Sequence, residues 1–167
     1  MTFRVRPLDP TSDAEINTSV SFGMLAVLET VPSARRDPSV VPYFTFAEMR
    51  ANYAASCGLP DRCFLFAEAP DGLVVGQSAM KTLRDEDGRL YGYFSTRYVL
   101  PRFRRQGLGQ RLLDEGLGWM RAQGAEYAVA HTHATNEPLL GLFRRNGFEA
   151  TPHAGRWEGW RLCREPV

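Results

Sequence analysis

Cysteine is scarce in this chain, with only three among 167 residues, Cys57, Cys63 and Cys163. They form no CxxC pair and cannot all be bonded to one another, which excludes a disulfide scaffold and implies a reducing compartment. Long apolar runs are missing too. No stretch approaches the ~20 residues of a membrane-spanning helix. Residues 1–6 hold no apolar signal region, so the expected location is cytoplasmic and no membrane partner is expected. Neither sign of charge dominates: 20 Lys and Arg face 19 Asp and Glu, a net charge of +1. With no basic-aromatic stripe either, nucleic acid is not an expected partner. His131-Thr132-His133 lacks a third ligand at useful spacing, so no metal is expected. Repeats, low-complexity segments and linkers are absent. One domain over residues 1–167 follows, long enough to bury a sizeable core.

The patterns present alternate between strand and helix. Residues 2–8 read as a strand with Phe3 and Val5 on one face. Ser12 with Glu15, and Thr45 with Glu48, are capping-box signatures for two helices, separated by a stretch interrupted at Pro32, Pro38 and Pro42. Strands at 63–68, 73–82 and 90–99, joined by turns at Pro70-Asp71-Gly72 and Asp87-Gly88, predict an antiparallel meander. A helix follows from Gly107 to Gly124. Leu108, Leu112, Leu117 and Met120 lie near one face of it, and Gly116 and Gly118 imply close packing on the sheet. A strand at 126–133, a short helix from Glu137 capped by Asn136 or Thr135, and closing strands at 148–151 and 156–163 complete the chain. The class is α+β: a mixed, mostly antiparallel sheet of about seven strands flanked by about four helices.

Residues 99–110, Val-Leu-Pro-Arg-Phe-Arg-Arg-Gln-Gly-Leu-Gly-Gln, carry the strongest functional signal. A strand ends, a basic, glycine-containing turn follows, and an amphipathic helix begins. The first N–H groups of a helix have no intrahelical partner, the helix dipole favours negative charge there, and glycine lets a ligand approach the main chain. Phosphate is the usual guest. The dinucleotide fingerprint GxGxxG is not met, because Gly109 is followed by Gln110, Arg111 and Leu112, and the Walker pattern is absent.

The turn does resemble the acyl-CoA signature of the GNAT family of N-acetyltransferases, Gln/Arg-x-x-Gly-x-Gly/Ala. It stands here as Arg104-Arg105-Gln106-Gly107-Leu108-Gly109, after Val99-x-Pro101. The family's second signature is matched at the expected distance by Asn136-x-x-Leu139-Leu140-x-Leu142-Phe143-x-Arg145-x-Gly147-Phe148. The pair covers about a third of the chain. The resemblance implies the acyl-CoA N-acyltransferase fold, acetyl-CoA as acyl donor, and an amine of a small molecule or peptide as acceptor. The family often dimerises, so a homodimer is among the assemblies implied. Backbone groups at Val99 and Leu100 would hold the pantetheine arm. The amides of Arg105, Gln106, Gly107, Leu108, Gly109 and Gln110, beside Arg104, would cradle the pyrophosphate. Asn136 would sit by the pantetheine, and Phe143 near the thioester sulfur.

Acetyl transfer to an amine needs a base, a donor for the tetrahedral oxyanion, and a route for the leaving thiolate. His131, where some family members carry a catalytic glutamate, is the candidate base, with His133 as substitute. A hydrogen-bonded structural histidine is the alternative reading of His131. The N–H at Val99 is the candidate oxyanion donor. Many family members protonate the thiolate with a tyrosine, and Phe143, standing in that place, has no proton to give. This keeps a second reading open, a non-catalytic acyl-CoA-binding sensor. Tyr91, Tyr93, Ser95 and Arg97, at alternate positions, are expected on one face lining the acceptor cleft, with plain packing the alternative for Tyr91. Tyr43, Phe44 and Phe46 are candidates for its wall. Trp157 and Trp160 are assigned to either the cleft or a dimer seam.

Overall fold

The computed structural model describes residues 2–41, 44–154 and 158–167. Four helices and seven strands, counted among these residues, follow the order β1 (Arg4–Pro7), α1 (Asp13–Thr30), α2 (Phe46–Ser56), β2 (Arg62–Glu68), β3 (Val74–Arg84), β4 (Leu90–Val99), α3 (Leu108–Ala122), β5 (Tyr127–His133), α4 (Glu137–Arg145), β6 (Glu149–Ala154) and β7 (Glu158–Arg164). The strands form one sheet in the order β1-β2-β3-β4-β5-β7-β6. All neighbours are antiparallel except β4 and β5. The expected α+β architecture is therefore observed. The closing strands run further than alternation alone suggests, β6 reaching Ala154. The expected start of β7 at Arg156 and Trp157 lies outside the described residues.

Local chemistry sets the helix starts. Thr45 and Glu48 form a reciprocal capping box. Ser12 Oγ accepts from the Glu15 N–H, but the Glu15 carboxylate turns away, to Arg6 and to the Asp9 N–H, so that cap is one-sided. Helices α3 and α4 cover one face of the sheet. Leu112, Leu113, Leu117 and Met120 of α3 join Met80, Phe94, Ala128 and Leu162 in the main core. A Cβ at Gly116 would lie 2.7 Å from a Phe94 ring carbon, so glycine there permits the close approach. Gly118 differs from expectation: its nearest neighbour is Arg121 Nη2 at 3.9 Å, so packing does not require it.

Helices α1 and α2 lie on the opposite face over β2 to β4. Ser19 Oγ donates to Gln77 Oε1 (2.7 Å), and Tyr98 packs on Phe22. The three cysteines are unpaired, and burial pushes the Cys63 thiol up to about 11.

Two departures from regular pairing shape the centre of the sheet. First, the β3–β4 register jumps: Ala79 faces Thr96 while Met80 faces Phe94, so Ser95 is an extra, bulged residue. Second, the parallel ladder between β4 and β5 covers only Tyr91↔Tyr127 to Phe94↔Ala130. Beyond it the two strands part, leaving a wedge-shaped gap.

Candidate active site

The gap opens beside the start of α3. Leu100 N–H donates to Val75 O at 2.9 Å, which makes Gly76↔Val99 a non-hydrogen-bonded pair. Val99 therefore aims its own N–H and C=O away from β3, towards the gap, and Arg97, two residues earlier, does the same. The Val99 carbonyl accepts from Arg104 Nε at 2.8 Å. A 3-10 turn over Pro101–Phe103 leads to Arg105 (φ 64°) and Gly107 (φ 80°), both left-handed. Gly107 caps α3 without any side-chain bond, and Arg111 N–H is the first to find the i−4 carbonyl, Gly107 O at 3.1 Å. The N–H groups of Leu108, Gly109 and Gln110 thus open the helix without intrahelical acceptors. Arg102 and Arg105 make no ion pair among the described residues, whereas Arg104 is paired with Glu29.

Across the gap, Asn136 caps α4: its Oδ1 accepts from Leu139 N–H (3.4 Å), and its Nδ2 donates to Thr132 Oγ1 (3.0 Å). Phe143 is fully buried and meets Phe94 and Phe148 edge to face. Leu108 is also core, so only its main chain is open to a ligand. Gln110 holds Asn146 and Asp114 through its side chain.

A cavity of about 180 Å³ occupies the gap, reached by Thr96, Arg97, His131, His133, Asn136 and Phe143. A broader groove of about 620 Å³ lies on the sheet face that α1 and α2 leave open, lined by Lys81, Tyr91, Tyr93, Tyr127, His131 and Arg161. His131 and Tyr93 belong to both hollows. His131 Nδ1 lies 3.3 Å from Tyr93 Oη, and its ring packs 4.4 Å from that of His153. Burial pushes the His131 pKa down, and the neighbouring His153 and Arg161 add to the effect, so the imidazole stays neutral below its ordinary range. His133 instead bonds its Nδ1 to Thr135 Oγ1 at 2.9 Å. Among the described residues no three metal-binding side chains come together.

The bulge at Ser95 corrects one expectation. Tyr91, Tyr93, Ser95 and Arg97 do not share a face. Tyr91 and Tyr93 line the open groove, while Arg97 emerges on the α3 and α4 side, over Phe94 and Phe143. Tyr91 stacks on Tyr127 with ring centroids 5.2 Å apart, in keeping with a packing role. Of the expected cleft wall, Phe44 is buried and Phe46 exposed, and Tyr43 lies outside the described residues, as does Trp157. Trp160 packs against the main core, with Arg144 over its ring.

His153 carries no signal in the sequence. It reaches the His131 ring diagonally across β7, where Gly159 pairs with both His133 and His153; a Cβ at Gly159 would overlap Thr132 O, so glycine there lets β7 lie close against β5.

The profile of the acetyltransferase (GNAT) family matches residues 33–148. The chain belongs to the GNAT family. Two mycothiol acetyltransferases also match. That of Propionibacterium freudenreichii subsp. shermanii is 34% identical over 87 residues, 47% of this chain and 28% of the relative's length. That of an Arthrobacter species is 31% identical over 86 residues, 51% of this chain and 27% of its own. The chain thus spans under a third of the length of these curated relatives. Among solved structures, the paiA N-acetyltransferase of Thermoplasma acidophilum, in complex with coenzyme A, superposes with a TM-score of 0.77 at 17% identity, covering 99% of both chains. The yncA protein of Salmonella typhimurium, with its cofactor acetyl-CoA, gives a TM-score of 0.74 at 22% identity over 99% of this chain and 94% of its own. At these identities the likeness establishes a shared GNAT fold, in line with the strand order and parted sheet.

Proposed function

We propose that this GNAT chain transfers the acetyl group of acetyl-CoA to a primary amine of a small molecule or peptide, by direct attack on the thioester. The observation that carries this reading is the parting of β4 from β5 next to an unsatisfied helix start, with His131 where the gap meets the open groove. The main-chain N–H groups of residues 105–110, with Arg102 and Arg105 nearby, suit a pyrophosphate. Val99 suits the amide-bearing pantetheine arm, which would run along β4 as an added strand, with Asn136 across from it; Leu100, expected to share this task, spends its N–H on Val75 O and its C=O on the Phe103 N–H and so offers the arm no main-chain group. The Val99 N–H would receive the oxyanion.

In this reading the amine enters by the open groove. His131, kept neutral by burial and by His153 and Arg161 beside it, takes the amine's proton as the nitrogen attacks the thioester carbon. The tetrahedral oxyanion collapses and the carbon–sulfur bond breaks. The non-catalytic alternative is not favoured, because the family and the matched relatives are described as acetyltransferases. No described helix is long and apolar enough to cross a membrane.

Calorimetric titration with acetyl-CoA tests the donor site, and a panel of amines assayed for CoA release tests transfer. Binding that Gly107→Trp abolishes, followed by release with some amine, is the expected result. A folded wild type that does not bind acetyl-CoA sinks the reading.

A further inference from the structure

Arg97 is a buried guanidinium without a counter-ion. Its Nη2 donates to Gly109 O at 2.7 Å, but Nε and Nη1 are buried and have no hydrogen-bond partner. Its Cζ sits 5.0 Å from the Phe143 ring centroid and 5.4 Å from that of Phe94. No carboxylate forms an ion pair with it among the described residues; Asp114 acts on it only at longer range. A buried cation is expensive to keep unless something negative visits it, and two aromatic faces replace only part of its lost hydration. Arg97 lines the gap cavity, and Phe143 beside it stands where a proton donor to the leaving sulfur would be expected.

We propose that Arg97 is the residue that stabilises the departing CoA thiolate, taking over with charge and N–H donors the task that Phe143 cannot perform. The inference rests on the acetyl-CoA reading given above. The balance is simple. The amine nitrogen bonds to the thioester carbon and its proton passes to His131. The carbon–sulfur bond then breaks and its electron pair leaves on sulfur. Burial lowers the guanidinium to about 10, so it keeps all its protons at neutral pH. It donates hydrogen bonds to the sulfur anion, and the thiolate takes its proton from water on release. Burial strengthens this effect, because the charge is screened little by solvent.

The bulge at Ser95 is what brings Arg97 to this position, by turning it to the Phe143 side of β4. Other polar groups at the cavity compete poorly for the role. Tyr93 Oη is engaged by His131, and His133 by Thr135.

The test needs no knowledge of the acceptor. Free CoA is bound to the whole chain and its thiol is titrated by the ultraviolet absorbance of the thiolate. With wild type, the bound thiol is expected to titrate at least about one pH unit below free CoA, as beside any close cation. Arg97→Met should bring it back to the free value or above while CoA still binds, and Arg97→Lys, which keeps a charge, should restore part of the shift. An unchanged thiol pKa in Arg97→Met with wild-type CoA affinity overturns the proposal. So does an unshifted wild-type thiol combined with an Arg97-dependent preference for an acyl-CoA ending in a carboxylate, which would assign the guanidinium to the acyl chain. Failure of wild type to bind CoA at all removes the coenzyme reading and this inference with it, and calorimetry separates that outcome from the others.

Discussion

The Glu29 carboxylate, at the end of α1, receives Arg104 Nη2 at 2.7 Å and so ties the first helix to the turn before α3. The same carboxylate accepts Tyr98 Oη at 2.9 Å, and Arg104 lies over the Tyr98 ring. Both charged side chains keep substantial exposure, 41% for Arg104 and 35% for Glu29, so the pair contributes little to folding. Its effect lies in holding the turn. Glu29→Gln is expected to change unfolding free energy by less than about 1 kcal/mol in a urea melt. It is also expected to weaken acetyl-CoA binding severalfold by calorimetry. Unchanged affinity would mean the turn keeps its shape alone.

The pH profile of transfer should report His131. Burial, His153 and Arg161 all lower its pKa, so the acidic limb of kcat/KM should fall below the ~6.5 of a free histidine. His153→Ala removes one of these influences and should move that limb upward. His131→Ala should cost roughly 10²–10⁴-fold in rate. A limb that ignores both changes refutes the base assignment. The same shift bears on stability. The folded histidine resists protonation more than the unfolded one, so its contribution is intact above about 6.5 and is lost as pH falls from there through the folded value.

Gly107 and Gly109 differ although one motif contains both. Gly107 has φ 80° with open space around it, whereas Gly109 lies inside α3, where an added Cβ would stand 3.4 Å from Leu142 Cδ2. Gly107→Ala should destabilise by about 1 kcal/mol through its left-handed backbone and weaken acetyl-CoA binding. Gly109→Ala should leave the thermal midpoint nearly unchanged. Equal losses at both positions would contradict the backbone argument.

Helix α3 offers a second pair with opposite signs. At Gly116 a new Cβ would meet Phe94 at 2.7 Å and Met80 Sδ at 3.1 Å. Gly116→Ala should therefore cost about 1–3 kcal/mol by overpacking. Gly118→Ala meets nothing closer than 3.9 Å and should gain up to about 1 kcal/mol of helix propensity. Two urea melts decide the matter.

What the sequence discloses depends on range. Caps such as Thr45 with Glu48, the turn at Gly107 and the apolar stripe of α3 are local, so their patterns can be read directly. The Ser12–Glu15 box forms only by half because Arg6, brought near by β1, outcompetes the Ser12 N–H for the Glu15 carboxylate. The His131–His153 contact spans two strands with β7 between them, which no local pattern announces. Strict alternation puts Arg97 on the wrong face because it assumes an unbroken strand. Ser95 is neither glycine nor proline and carries no mark of a bulge.

That one surplus residue works as a change of phase along β4. Before Ser95, odd-numbered side chains serve the groove where an acceptor would enter; after it, they serve the side where the donor would lie. A single strand thereby equips both halves of a two-substrate reaction. Were β4 to pair straight through without a bulge, the two sets would be exchanged, turning Arg97 out of its aromatic niche and Thr96 into it; deleting Ser95 would instead set Thr96 directly after Phe94, opposite the Ala79 it already faces, so both sets would keep their sides.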